Sequence, residues 1–190
     1  MLEFHYGTVS SKKTADLLIS AHQYPSAIIL KSTIDTRYGK NIVGSRVPGL
    51  KKTANFCISI DEQIPVEEIK YLNPSIVFVD ECQFFSVEQI ESLHKLSYFV
   101  NVVCYGLNTD FKRRLFPASK RLFELADNKV ELKTPCYKCS AKKSIFSHKL
   151  KKRKCDLDRE KEFSQDDIEI GCEELYIPVC SRCFDSLNDL

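Results

Sequence analysis

The chain has 190 residues, with 28 Lys and Arg against 26 Asp and Glu for a formal net charge of +2. So balanced a charge argues against a protein built mainly to coat nucleic acid, and no apolar run is long enough to span a membrane. An apolar content of 43% suits one enzyme-sized core with a small appendage, and Glu3 and His5 interrupt any signal-peptide pattern at the N-terminus, so the cytoplasm is the expected compartment.

Residues 2–6 read as a strand and 14–22 as a helix. Between them, Gly7-Thr8-Val9-Ser10-Ser11-Lys12-Lys13-Thr14 follows the phosphate-loop pattern G-x-x-x-x-G-K-[ST], except that Lys12 stands where the second glycine belongs. A strand feeding a helix through such a loop aims free backbone N–H groups and the positive end of the helix dipole at one point. ATP is the expected occupant, with Lys13 supplying charge to its phosphates and Thr14 a hydroxyl for magnesium. If position 12 requires a left-handed backbone, lysine costs about 1–2 kcal/mol there.

The spacing next predicts a strand at 27–31, a strand at 56–60, a helix at 64–72 and a strand at 76–80. That last strand, Ile76-Val77-Phe78-Val79, is apolar without alternation, as in a strand buried on both faces, and ends in Asp80 and Glu81. In open α/β sheets, ligands bind at the carboxyl ends of strands. Asp80 therefore has the placement of a magnesium partner, and Glu81 that of a base for an attacking hydroxyl.

A helix at 87–98, a strand at 101–105, a helix at 119–126 and a strand near 129–132 complete the alternation. It predicts an α/β fold, a phosphate-loop NTPase-like parallel sheet flanked by helices, over residues 1–134. The segment between the strand at 101–105 and the helix at 119–126 is rich in apolar bulk. Leu107, Phe111 and Phe116, with Phe84 from the loop after Glu81, are read as walls of a flat slot that a nucleobase would fit, against the plainer reading of core packing.

Nine cysteines fall into two populations. Cys57 and Cys104 lie in strand-like runs and read as buried small hydrophobes, while Cys82, Cys155 and Cys172 have no partner at metal spacing. Cys136, Cys139, Cys180 and Cys183 form two CxxC pairs, the spacing of two knuckles of a structural zinc site, with redox dithiols or unliganded thiols as the alternatives. Residues 135–190 are thus expected to be a zinc-binding domain. The basic run at 149–154 and the acid-rich stretch after it are read as a solvated hairpin between the knuckles, rather than a nucleic-acid patch.

In order along nearly the whole chain, YGTVSSKKTADLL, DTRY (Asp35 to Tyr38), DECQFF (Asp80 to Phe85), YGLNTDF, LFPASKRLFELAD, CYKC, IGCEELY and CSRC resemble the motifs of the type II, or cellular-type, thymidine kinases of bacteria and phages. The resemblance implies ATP-dependent phosphorylation of the thymidine 5′-hydroxyl with magnesium and structural zinc. Glu81 would be the base, Lys13, Thr14, Asp80 and Gln83 would serve phosphates and magnesium, and Arg37 the phosphates. Val9 would lie near the sugar or base. A lasso at about 140–179 would close over the base, with Ser147 near it and Tyr176 against the nucleoside. A homotetramer is implied as well. The chain departs from the family pattern at Lys12, at Val9 (methionine in the family), at Cys172 (glycine), and by one extra residue after Cys139. Lys12 leaves a second reading, a nucleoside-binding or regulatory relative with impaired chemistry.

Overall fold

The computed structural model describes residues 1–150 and 176–188. The basic residues 151–154, the acid-rich stretch, Cys155, Cys172 and the middle of the expected lasso lie outside the described residues.

Six strands form one sheet: β1 (Leu2–Gly7), β2 (Ile28–Ser32), β5 (Phe56–Ile58), β6 (Val77–Asp80), β7 (Val102–Leu107) and β8 (Asn128–Glu131), in the order β5-β2-β6-β7-β1-β8. Every pairing in it is parallel. Side chains alternate between two apolar layers. Leu2, Phe4, Ile28, Leu30, Val77, Val79, Val102 and Cys104 enter one, and Ile29, Phe78, Val103 and Tyr105 the other. The first layer is completed by Ile90, Leu93 and Leu96 of α3 (Val87–Leu96) and Leu122 of α4 (Pro117–Leu125), and by Ile69 of α2 (Val66–Tyr71). The second is covered by Leu17, Leu18 and Ala21 of α1 (Lys13–Gln23). A sheet buried on both faces explains the unbroken apolar run at 76–79.

Parallel register brings the functional strand ends to one edge. Gly7 lies opposite Leu107, and Asp80 opposite Lys31. The expected α/β architecture is present. The boundaries shift by one or two residues where local chemistry decides them. α2 starts only after Pro65, and α3 is opened by a Ser86–Gln89 capping box, then stops at Leu96.

Two antiparallel pairs were not expected as strands. β3 (Ile42–Gly44) pairs with β4 (Lys51–Thr53), and β9 (Phe146–Lys149) with β10 (Tyr176–Val179). Lys51, Lys52 and Thr53 are all exposed, so β4 carries no hydrophobic alternation to reveal it. A final helix, α5 (Ser181–Asn188), carries the last cysteine. Cys104 is fully buried as expected, whereas Cys57 is only half-buried, with its thiol 3.6 Å from the Lys40 carbonyl. The edge strand β5 leaves one of its sides open, which sequence periodicity does not disclose.

Candidate active site

A cavity of about 370 Å³ opens at the carboxyl edge of the sheet. Its floor is the phosphate loop from Val9 to Thr14, and Arg37, Glu81 and Gln83 stand along one side. Phe84, Leu107, Phe111 and Phe116 line the apolar end, where Ser147 and Tyr176 approach from the cysteine module. Gly7, Thr8 and Asp80 are buried behind this lining. Gly7 must be glycine, because a β-carbon there would sit 2.4 Å from the Leu132 carbonyl and 2.6 Å from Ser11 Oγ.

Within the loop, Ser10 (φ 62) and Lys12 (φ 64, ψ 17) are both left-handed. Position 12 therefore does adopt the conformation that glycine accepts freely. Lys12→Gly is expected to stabilise the protein by about 1–2 kcal/mol, read as a Tm several degrees higher. An unchanged or lower Tm would mean that the Lys12 side chain supports the loop.

Lys12 is exposed, but Lys13 is buried, and its Nζ donates to the Thr8 carbonyl at 2.7 Å and to Ser11 Oγ at 3.2 Å. Burial lowers its pKa to about 8, against the opposing pull of Glu81 and Asp80. An ammonium folded onto its own loop in this way has a ready exchange of partners when an anion enters the cradle.

At the end of β6, Asp80 is buried and accepts a hydrogen bond from Thr14 Oγ1 at 3.2 Å. Burial raises its pKa to about 7, with Glu81 and Asp35 adding to the rise and Arg37 and the Thr14 bond opposing it. A buried carboxylate crowded by others and paired with a hydroxyl is a donor set suited to a hard divalent cation.

Glu81 is itself left-handed (φ 49, ψ 44) at the start of a 3₁₀ turn, Cys82–Phe84. Strain of this kind clusters at functional positions. Its carboxylate accepts from Arg37 Nη2 and, at 2.7 Å, from Gln83 Nε2. Gln83 Oε1 in turn accepts the Leu107 N–H at 2.9 Å, so one buried amide joins the carboxylate to the apolar wall. Gly106 leaves room for it, since a β-carbon there would lie 2.8 Å from Gln83 Oε1. On the far side, Arg37 Nε donates to Asp35 Oδ1 at 2.7 Å. Burial pushes the Asp35 pKa up, but the Arg37 bond and charge, with Lys31, bring it below its ordinary value. Glu81 thus sits in a hydrogen-bonded chain that fixes its direction.

The apolar end is built from rings at angles. Phe84 and Phe116 are 6.3 Å apart at 76°, and Phe111 is 6.3 Å from Tyr176. Ser147 Oγ does more than line the space, because it accepts the Val9 N–H at 3.1 Å. Thr8 and Ser144 hydroxyls meet at 2.8 Å. The residues after the first cysteine pair are therefore bonded directly to the phosphate loop.

Cys136, Cys139, Cys180 and Cys183 have their sulfurs within 4.8 Å of one another, a cluster that could hold a metal ion. Cys139 and Cys180 sulfurs are 3.9 Å apart, close to the roughly 3.8 Å edge of a tetrahedron with 2.3 Å zinc–sulfur bonds. Three of the four cysteines are buried with Val179 and Phe184. Among the described residues, no helix is long and apolar enough to cross a membrane.

Arg46 escaped sequence reasoning. It lies in the β3–β4 hairpin, lines the cavity, and donates from Nη1 to Ser10 Oγ at 3.0 Å. Only the short GSR stretch before a Pro-Gly turn hinted at a hairpin there. Thr109 and Asp110 also reach the cavity from the loop after β7.

A phosphate loop on a parallel sheet, with a fixed carboxylate between that loop and an aromatic slot, defines a nucleotide-dependent phosphotransferase architecture. The thymidine kinase family model matches residues 1–184, and the chain belongs to that family. It is 38% identical to the thymidine kinase of Enterobacteria phage T4, over 98% of this chain and 96% of that protein. It is 33% identical to the enzyme of Lactococcus lactis subsp. lactis, over 95% of each chain. To that of Chromobacterium violaceum it is 34% identical, over 96% of this chain and 97% of the other.

Proposed function

We propose that the protein transfers the γ-phosphoryl group of ATP to the 5′-hydroxyl of thymidine, giving ADP and dTMP for deoxynucleotide salvage. The observation that carries this is Glu81, held by Arg37 and Gln83 between the phosphate loop and the aromatic slot of one cavity. The loop amides and Lys13 would hold the triphosphate. The base would lie among Phe84, Leu107, Phe111 and Phe116, with Tyr176 beside it and Val9 near the sugar. From Glu81, the carboxylate would then take the proton of the 5′-hydroxyl as it attacks.

Thr14 and Asp80 would hold magnesium, which neutralises charge developing on the phosphates. Arg37 would leave Glu81 in part for the transferring phosphoryl group, and Arg46 would add a second guanidinium from the hairpin. The four cysteines would hold a structural zinc. Four thiolates fill its tetrahedron and leave no place for water, so the metal would order residues 135–190 without reacting. Residues 1–134 would form the nucleotide-binding domain, and the family reading extends to a cytoplasmic homo-oligomer.

Purified protein with thymidine, ATP and magnesium is expected to yield dTMP, resolved from thymidine by chromatography, with a higher rate in Lys12→Gly. Absence of dTMP from both proteins, with thymidine still bound, would replace this reading by that of a regulatory nucleoside-binding relative.

A further inference from the structure

We infer that Arg113 is a positioning residue that latches the loop 107–116, and with it the aromatic wall of the cavity, onto the cysteine module. Arg113 is left-handed at φ 64, an uncommon conformation for a residue with a β-carbon. The loop enforces it. Arg113 N donates to the Asp110 carbonyl at 3.2 Å, and Asp110 N to the Arg114 carbonyl at 2.8 Å. The Asp110 carboxylate caps the turn by accepting the Lys112 and Arg114 N–H groups, each at 2.8 Å.

From that turn the guanidinium reaches across to the other part of the chain. Its central carbon lies 4.0 Å from the centroid of the Phe184 ring and 4.9 Å from that of Phe146, and it pairs with Asp185. Phe184 packs in one apolar cluster with Cys136, Cys180 and Cys183, and Phe146 packs against that cluster. Asp185 is 59% exposed, so its ion pair is screened by solvent. The cation–π attraction of the guanidinium to the two rings is the larger contribution.

The proposed phosphoryl transfer has no use for a guanidinium at this place. What Arg113 does have is position, two residues after Phe111 and three before Phe116, both on the cavity. Order in the cysteine module is thereby transmitted to the wall facing the nucleoside, by a route separate from the Ser147 and Ser144 contacts with the phosphate loop. This inference rests on the reading of that wall as the nucleoside site.

Arg113→Gly separates latch from loop shape, because glycine accepts φ 64 without strain while losing the side chain. Expected is a rise of about tenfold in KM for thymidine, with kcat and KM for ATP within about twofold of wild type. Zinc should also pass faster from the loaded protein to a chromophoric chelator. Phe184→Leu keeps apolar bulk but removes the ring face, and should raise the thymidine KM similarly, adding little in the Arg113→Gly background. A residue with only a structural role would lower Tm without separating the two KM values. An unchanged thymidine KM, an unchanged rate of zinc release, or additive effects of the two substitutions would each overturn the latch. Phe84→Ala reports on the site itself. Should it leave the thymidine KM unaltered, the nucleoside-site reading fails instead.

Discussion

Glu81→Gln is expected to lower kcat by roughly 10²–10⁴-fold while thymidine affinity changes little. Glutamine has the shape of glutamate and can still accept from Gln83 Nε2 or Arg37 Nη2, so the turn Cys82–Phe84 keeps its partners. What disappears is the ability to accept a proton. The effect should fall on the chemical step, because the apolar walls that would hold the base are not touched. Single-turnover kinetics together with equilibrium thymidine binding separate the two. A kcat loss below about tenfold would move proton removal to another group.

For Asp80→Asn the expected result has opposite signs for stability and activity. Burial and the neighbouring carboxylates raise the Asp80 pKa from 3.8 to about 7. Because the folded-state value is the higher one, unfolding releases a proton between these two values. Stability therefore falls as pH rises from about 4 to about 7 and levels off above that. Asparagine carries no charge, yet its amide oxygen can still accept from Thr14 Oγ1. At pH 8 without magnesium, Asp80→Asn should melt several degrees above wild type, at about 2–4 °C per kcal/mol, and the gap should narrow at pH 5. Phosphorylation should drop by roughly 10²-fold or more, since the proposed magnesium ligand would be lost. A lower Tm for Asp80→Asn at pH 8 would show that its carboxylate is stabilised by its surroundings. Stability given up at this carboxylate is the trade expected if, as proposed, it holds a cation that arrives with substrate.

The two lysines of the phosphate loop show how far residue type alone can lead. The pattern put both in the phosphate loop, but it is their backbone and burial that divide their work. Lys13 opens α1 and turns its ammonium into the loop, whereas Lys12 adopts the left-handed conformation and remains exposed. Phe84, Leu107, Phe111 and Phe116 were legible as a group because they lie at or after strand ends, where a parallel sheet gathers its loops. Gln83 was legible as part of a motif. Its bridge from Glu81 to the Leu107 N–H depends on β6 and β7 lying side by side, and on Gly106 leaving space.

Sequence by itself determined the parts whose cause is local. These are the strand and helix periods, the phosphate loop between the first of each, the acids ending β6, and the two CxxC pairs. Each depends on neighbours a few residues apart, within reach of backbone propensity and ligand spacing. Tertiary structure alone decided that the β3–β4 hairpin brings Arg46 to Ser10, that Ser144 and Ser147 touch the phosphate loop, and that Arg113 lies against Phe184. Those hydrogen bonds join residues from 36 to 138 positions apart, and the Arg113–Phe184 contact spans 71. No local pattern encodes them, because they form only after the sheet has closed the chain between their ends.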